Sequence, residues 1–213
     1  MKFSEFDQLL LQQISEARES AAQNIEIEIR LGRIEYDDAH QKKFFDTNLG
    51  EENQKKIQAY LEKQSNLVMT EQTVSEYSLQ GVRVRIDDDG NLLEAIRKNP
   101  VSKTDFSVAG HPLDLRIGIS HEEPVEDMEE LTVEIDSKRE KYKTIFSQDA
   151  YSVELTQTQY GHRDFFQAEI ELTDAGSPGE DLAEAVKQIS ALTQRLLQEI
   201  NSSANEDTEL EQV

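Results

Sequence analysis

Between residues 25 and 31 the chain alternates strictly: Ile25, Ile27, Ile29 and Leu31 are apolar, while Glu26, Glu28 and Arg30 are charged. A period of two marks a strand that buries one face. The same design returns far along the chain in Gln167-Ala168-Glu169-Ile170-Glu171-Leu172. Either stretch alone is better read as an antiparallel strand with a solvated charged face. Two of them at opposite ends of one small domain suggest a shared use. Residues i and i+2 on a strand lie roughly 6.5–7 Å apart on one side, so paired glutamates from facing strands can converge on one cation.

The remaining pattern divides the chain. Phe3, Phe6, Leu10, Ile14 and Ala17 fall at helical spacing, with Ser4 as N-cap, and predict a helix over 3–20. Asn24 breaks that pattern, and the first strand runs to about Ile34. Phe44 and Phe45 read as an apolar patch in a connecting segment. A second helix is expected over 51–64 through Ile57, Tyr60 and Leu61. The texture is then β, with strands expected at 67–79, 81–86, 92–98, 104–109, 113–120, 131–135, 139–145, 151–158 and 165–172. Asp87 to Asn91 is a hairpin turn in which Gly90 and Asn91 can take positive φ; Asn99-Pro100 ends a strand; Gly110-His111-Pro112 turns the chain again. The run Gly176-Ser177-Pro178-Gly179 stops the β region, and an amphipathic helix follows over 180–200.

Composition narrows the chemistry. The formal net charge of −22 excludes a non-specific electrostatic grip on nucleic acid, so any polyanionic substrate must meet a local basic site. There is no cysteine, hence no disulfide or thiolate chemistry. Acids near the start, and no apolar run beyond Leu9-Leu10-Leu11, predict a soluble intracellular protein without a membrane partner. Residues 201–213 are small, polar and acidic and read as a disordered tail behind a folded domain of residues 1–200. His40, His111, His121 and His162 show no ligand spacing and are expected at the surface, and Asp87-Asp88-Asp89-Gly90 lacks the rest of a calcium loop.

The polar faces of the strands belong together. Acids stand at Glu26, Glu28, Glu169 and Glu171; cations at Arg83 and Arg85, and in strict alternation at Arg139, Lys141 and Lys143; Asp114 with Arg116 and Glu154 with Thr156 mark further faces. This predicts a mainly β, α+β protein built on a closed eight-stranded antiparallel β-barrel with flanking N- and C-terminal helices. Its lumen would be acidic on one wall and basic on the other. About eight strands enclose an interior that holds one small ligand, and a metal-bound polyphosphate matches the charges.

The blocks IEIEIRLGRI at 25–34, RVRIDDDGNLLEAIRK at 83–98, LDLRIGISHE at 113–122, KREKYKTIF at 138–146, YSVELTQT at 151–158 and AEIEL at 168–172 resemble the metal-dependent RNA 5′-triphosphatases of fungi, protists and some large DNA viruses, within the triphosphate tunnel metalloenzymes. The paired-glutamate strand is shared by other tunnel enzymes. The LDLRIGIS block and the alternating basic strand point to the capping branch. The resemblance implies hydrolysis of the γ-phosphate from the 5′ end of nascent RNA, the first step of cap formation. It implies Glu26, Glu28 and Glu171 as ligands of Mg²⁺ or Mn²⁺, with Glu169 on a water of the metal shell. Arg83, Lys98, Arg139, Lys141 and Lys143 resemble phosphate-binding cations, and Asp114, Arg116, Glu122, Glu154 and Thr156 match further tunnel positions. Glu122 is the candidate to orient or deprotonate the attacking water. Gln167 stands where relatives can have another glutamate, and Glu154 where some have aspartate. The implied partners are the triphosphate end of RNA, with nucleoside triphosphate or tripolyphosphate as substitutes in vitro, and the capping guanylyltransferase. A homodimer is left open. The expected compartment is the nucleus, or the cytoplasm for a virally encoded enzyme. Two rivals stand beside this reading: a tunnel hydrolase of small polyphosphates such as tripolyphosphate or thiamine triphosphate, and a non-catalytic barrel that binds polyphosphate or scaffolds a partner.

Overall fold

The apolar residues of the strands point outward, and the charged ones point in. In the computed structural model, which describes residues 3–20, 24–37, 42–126, 137–161, 163–172 and 182–210, the elements are α1 (Phe3–Ser20), β1 (Ile25–Asp37), β2 (Lys42–Asp46), α2 (Glu51–Leu61), β3 (Val68–Leu79), β4 (Val82–Asp87), β5 (Leu92–Phe106), β6 (Asp114–Pro124), β7 (Ser137–Ser147), β8 (Tyr151–Tyr160), β9 (Arg163–Leu172) and α3 (Leu182–Leu210). Hydrogen bonding runs β2-β1-β6-β5-β4-β3-β7-β8-β9, and β1 also pairs with β9. That last pairing closes eight strands into an antiparallel barrel with β2 as an appended ninth. No described helix is long and apolar enough to cross a membrane.

The hydrophobic core lies outside the barrel wall. Ile25, Ile27, Ile29 and Leu31 of β1, Leu115, Ile117 and Ile119 of β6, and Ala168, Ile170 and Leu172 of β9 are buried with Phe6, Leu10 and Ile14 of α1, Ile57 and Leu61 of α2, and Val186, Ile189, Leu196 and Ile200 of α3. Removing these faces from water drives the helices onto one side of the barrel, where Phe6 meets Phe106 edge-on at 6.2 Å. With the apolar faces spent outward, period two leaves the charges no place but the lumen. A smaller cluster of Val82, Val84 and Ala95 lies on the opposite outer face.

Several expected boundaries are corrected. Asn99-Pro100 does not end a strand, and 104–109 is no separate one: β5 runs from Leu92 to Phe106. Its register with β6 shifts between Pro100 and Ser102, and a bulge tolerates a proline that a regular ladder would refuse. The extra residue reverses the faces. Before the shift Lys98 lies opposite Glu122; after it Lys103 lies opposite Gly118 and Asp105 opposite Arg116. Phe44 and Phe45 belong to a strand, β2, paired with β1 from Arg33↔Asp46 to Asp37↔Lys42. Gly90 has φ of 85°, but Asn91 is not among the residues of positive φ. α3 continues to Leu210, into the stretch expected to be unstructured, which contains neither proline nor glycine to stop it. His111 and His121 are half-buried rather than surface residues. The expected strand at 131–135, the stop at 176–179, His40, His162 and the side chains of Phe3 and Ser4 lie outside the described residues.

Candidate active site

The lumen holds a cavity of about 390 Å³ in which every lining side chain is charged or polar. β1 contributes Glu26, Glu28 and Arg30, and β9 contributes Gln167, Glu169 and Glu171. The ladder explains the convergence: Glu28 lies opposite Glu171 and Arg30 opposite Glu169, while Glu169 lies opposite Glu154 on β8. From the facing strands come Arg83 and Arg85 of β4, Lys98 of β5, Glu122 of β6, and Arg139 and Lys141 of β7. Eleven residues expected from the sequence therefore meet in one space: Glu26, Glu28, Arg83, Lys98, Glu122, Arg139, Lys141, Glu154, Thr156, Glu169 and Glu171.

Three others stand apart. Lys143 is buried beside the cavity, its ammonium 2.7 Å from Glu154. Arg116 forks onto Asp105 at 2.7 and 3.1 Å, and its guanidinium lies 4.6 Å from the ring centroid of Phe45. Asp114 accepts a hydrogen bond from the Ile34 backbone N–H at 2.8 Å, a structural link near the point where β1 turns to β2. Two lining residues went unread, Glu76 of β3 and Glu94 of β5. They stand among the cations: Glu76 lies 3.2 Å from Arg85 and 2.8 Å from Lys141, and Glu94 lies 2.7 Å from Arg85. The basic wall is thus interleaved with acid. The sign was available only in Glu94, two strand positions before Ile96, on the same face as Lys98.

On the acidic wall the chain's own cations occupy the carboxylates. Lys98 contacts Glu26 directly and lies 3.4 Å from Glu28 and 4.0 Å from Glu122. Arg30 bridges Glu28 at 2.8 Å and Glu169 at 3.2 Å. Arg83 holds Glu122 at 2.7 Å, and Ser120 donates to Glu26 at 2.8 Å. Burial pushes the Glu26 carboxyl up, but Lys98 and Ser120 override it and hold it below its usual range. Burial likewise opposes Glu76, which Lys141 and Arg85 bring down to about 2. Burial and the neighbouring Glu26 raise Glu122 despite Arg83 and Lys98. Burial raises Glu169 against the pull of Arg30. Glu171 has no ion-pair partner among the described residues. Its side chain is exposed to the water of the lumen; partial desolvation by the surrounding wall, then Glu26, Glu154, Glu122 and Glu169, push it up to about 7.

Among the described residues no three His, Cys, Asp or Glu side chains stand in positions that would hold a metal ion. The donor set nevertheless fits a hard divalent cation, which takes carboxylate oxygens. Eight glutamates and six cations line the cavity, so the lumen is short of positive charge before any phosphate enters, and Glu171 is where the shortage falls.

Fold and site together define a triphosphate-tunnel fold: a closed eight-stranded barrel with carboxylates and cations facing one another across the lumen. The chain belongs to the family described as mRNA capping enzyme, beta chain, whose model matches residues 35–210. The fold is similar to that of the S. pombe Pct1 RNA triphosphatase, with a TM-score of 0.70, 16% identity, and coverage of 97% of this chain and 92% of that one. Pct1 in complex with the Spt5 CTD gives a TM-score of 0.69 at 16% identity, covering 95% and 90%. The Mimivirus capping enzyme triphosphatase gives 0.54 at 11% identity, covering 93% and 96%. No curated protein matches the chain in sequence.

Proposed function

We propose that the chain hydrolyses the 5′-triphosphate end of RNA to a diphosphate end and orthophosphate, the first reaction of mRNA capping. The observation that carries it is the enclosed lumen in which Glu26, Glu28, Glu169 and Glu171 face Arg83, Lys98, Arg139 and Lys141, in a chain of the capping beta-chain family. Water attacks the γ-phosphorus, the bond to the bridging β–γ oxygen breaks, and the electron pair leaves with the diphosphate. Such transfer needs positioning and charge stabilisation more than covalent help. Arg83, Arg139 and Lys141 supply donors for the phosphate oxygens, and Lys98 moves from Glu26 to phosphate when the substrate arrives. Glu122, raised by burial and Glu26, is a stronger base than an ordinary carboxylate and accepts the proton of the attacking water. Glu154 holds Lys143 and accepts from Thr156 at 2.8 Å, which fixes the wall behind the phosphates.

Glu26, Glu28 and Glu171 would hold Mg²⁺ or Mn²⁺, with Glu169 through a water. The bound ion would neutralise charge developing on the phosphate. The diphosphate end is the acceptor for a guanylyltransferase, which makes that enzyme a partner to seek by co-purification, with a second copy of this chain as another. The nucleus is the expected site for a host-encoded enzyme. Comparing turnover of triphosphate-ended RNA with that of tripolyphosphate and thiamine triphosphate tests the assignment. Preference for RNA is the expected result; a strong preference for either small compound returns the small-polyphosphate reading, and no turnover of any of them returns the binding barrel.

A further inference from the structure

Beyond the lumen the β5–β6 wall carries a second space of about 310 Å³, lined by Glu28, Arg30, Arg83 and Lys98, which it shares with the tunnel, and by Pro100, Lys103, Arg116, Gly118, Ile119 and Ser120, which it does not. We propose that this bay is a subsite for a phosphodiester of the RNA strand that follows the triphosphate, with Lys103 and Arg116 as its anion-binding side chains. The inference rests on the reading of the lumen as an RNA 5′-triphosphatase site and assigns how that site tells RNA from free nucleotides.

Four observations carry it. First, the bay is basic where the rest of the molecule is not. Five cations and one carboxylate line it, in a chain of net charge −22 and beside a lumen in which carboxylates outnumber cations. A local reversal of sign is what a polyanion needs to approach an acidic protein. Second, Arg116 is held in place before any ligand arrives. Asp105 grips one edge of its guanidinium and the Phe45 ring lies against its face, which leaves donors of its five free for an anion. Asp105 itself does not line the bay.

Third, Lys103 is exposed and makes no ion pair among the described residues. At Lys103 β5 pairs only with β6, its pairing with β4 ending at Arg97, so the side chain stands beside an open strand edge, where lysines also guard against strand addition, and it lines the bay. The register shift between Pro100 and Ser102 brings it opposite Gly118. Without the extra residue at that shift its side chain would point to the outer face. Fourth, the bay is continuous with the tunnel, because Glu28, Arg30, Arg83 and Lys98 line both. A nucleoside triphosphate ends with its sugar and base. An RNA strand carries a further phosphate one nucleoside beyond the triphosphate, and phosphate contacts of this kind position a strand without reading its sequence.

The test compares γ-phosphate release from a short triphosphate-ended RNA oligonucleotide and from the matching nucleoside triphosphate, for the wild type, Lys103→Ala and Lys103→Glu, over a range of salt concentrations. The quantity read is the ratio of kcat/KM on RNA to kcat/KM on nucleotide. Lys103→Glu should lower that ratio at least tenfold and Lys103→Ala less. The dependence of log kcat/KM on log salt for RNA should become shallower by about 0.7, one phosphate contact on a single strand. A ratio equal to that of the wild type, whether both substrates are unaffected or both fall alike, would overturn the subsite while leaving the triphosphatase reading intact. A wild type that hydrolyses the nucleotide and not the RNA would overturn both. Lys103 is exposed, so loss of fold is not expected, and an unchanged melting temperature checks it.

Discussion

Gly118 and Glu28 are register partners across the β1–β6 ladder, and a methyl group on Gly118 would stand 2.7 Å from Oε1 of Glu28. The glutamate lies flat over the neighbouring strand only because that strand has no side chain at this point. Gly118→Ala should therefore displace the Glu28 carboxylate and lower turnover at least tenfold, about 1.4 kcal/mol in transition-state stabilisation. The clash falls on the far end of a flexible side chain, so melting temperature should change little. Full activity in a folded Gly118→Ala protein would show that Glu28 is free to adopt another pose.

The basic strand gives a second test. Lys141 is bonded to Glu76 inside the barrel, and Arg139 lines the cavity with no ion-pair partner among the described residues. Arg139→Ala and Lys141→Ala should each reduce kcat/KM at least tenfold. Lys55 and Lys187 pair with Glu51 and Glu184 on exposed helix faces, where such pairs contribute little, and their alanine variants should keep wild-type activity. Four variants behaving alike would contradict the lumen assignment.

Stability should depend on pH through Glu171. Its folded carboxyl is raised from 4.5 to about 7, so between those values the native protein holds a proton that the unfolded chain has released. Stability from this group is fully present below about 4.5 and is lost as pH rises through about 7. Without divalent metal, Glu171→Gln should melt higher than the wild type above pH 7 and equally near 4.5. Glu76, lowered to about 2, acts in the opposite direction but only below 4.5. A wild type and variant with parallel melting curves across this range would remove the repulsion from the account.

Strict alternation made most of the barrel legible, because a strand with isoleucines on one side and charges on the other fixes its own faces. The same logic failed where the alternation breaks. At Pro100 the bulge moves Lys103 and Asp105 to the inner face, and nothing in the residues before or after it announces that reversal. β2 was missed because Lys42 to Asp46 places two phenylalanines side by side instead of alternating; the Phe45 ring approaches Gly32 of β1, which has no Cβ to exclude it. Glu76 sits among Thr, Ser and Tyr in β3, so its strand gives no contrast between faces. The convergence of residues from seven strands was readable as a set, and period two already put Arg30 beside Glu28, but that Lys98 of β5 would reach Glu26 and Glu28 depends on distances across the lumen, which no spacing along the chain encodes.

The end of α3 offers a fourth prediction. The helix runs to Leu210, and among the described side chains its last buried apolar one is Ile200. A chain ending at Ser202 should keep its turnover and melting temperature. A large loss of either would mean that the terminal segment packs on the barrel and that the domain does not end near residue 200.

The central claim is that the glutamates of β1 and β9 and the cations facing them form one hydrolytic site that works with a divalent metal. It is tested most directly by release of phosphate from γ-labelled triphosphate RNA, with Mg²⁺ or Mn²⁺ and after chelation, by the wild type and Glu28→Gln. The expected result is release by the wild type only when metal is present, and none above background from Glu28→Gln under either condition. Metal-independent release, or a Glu28→Gln protein as active as the wild type, would contradict it.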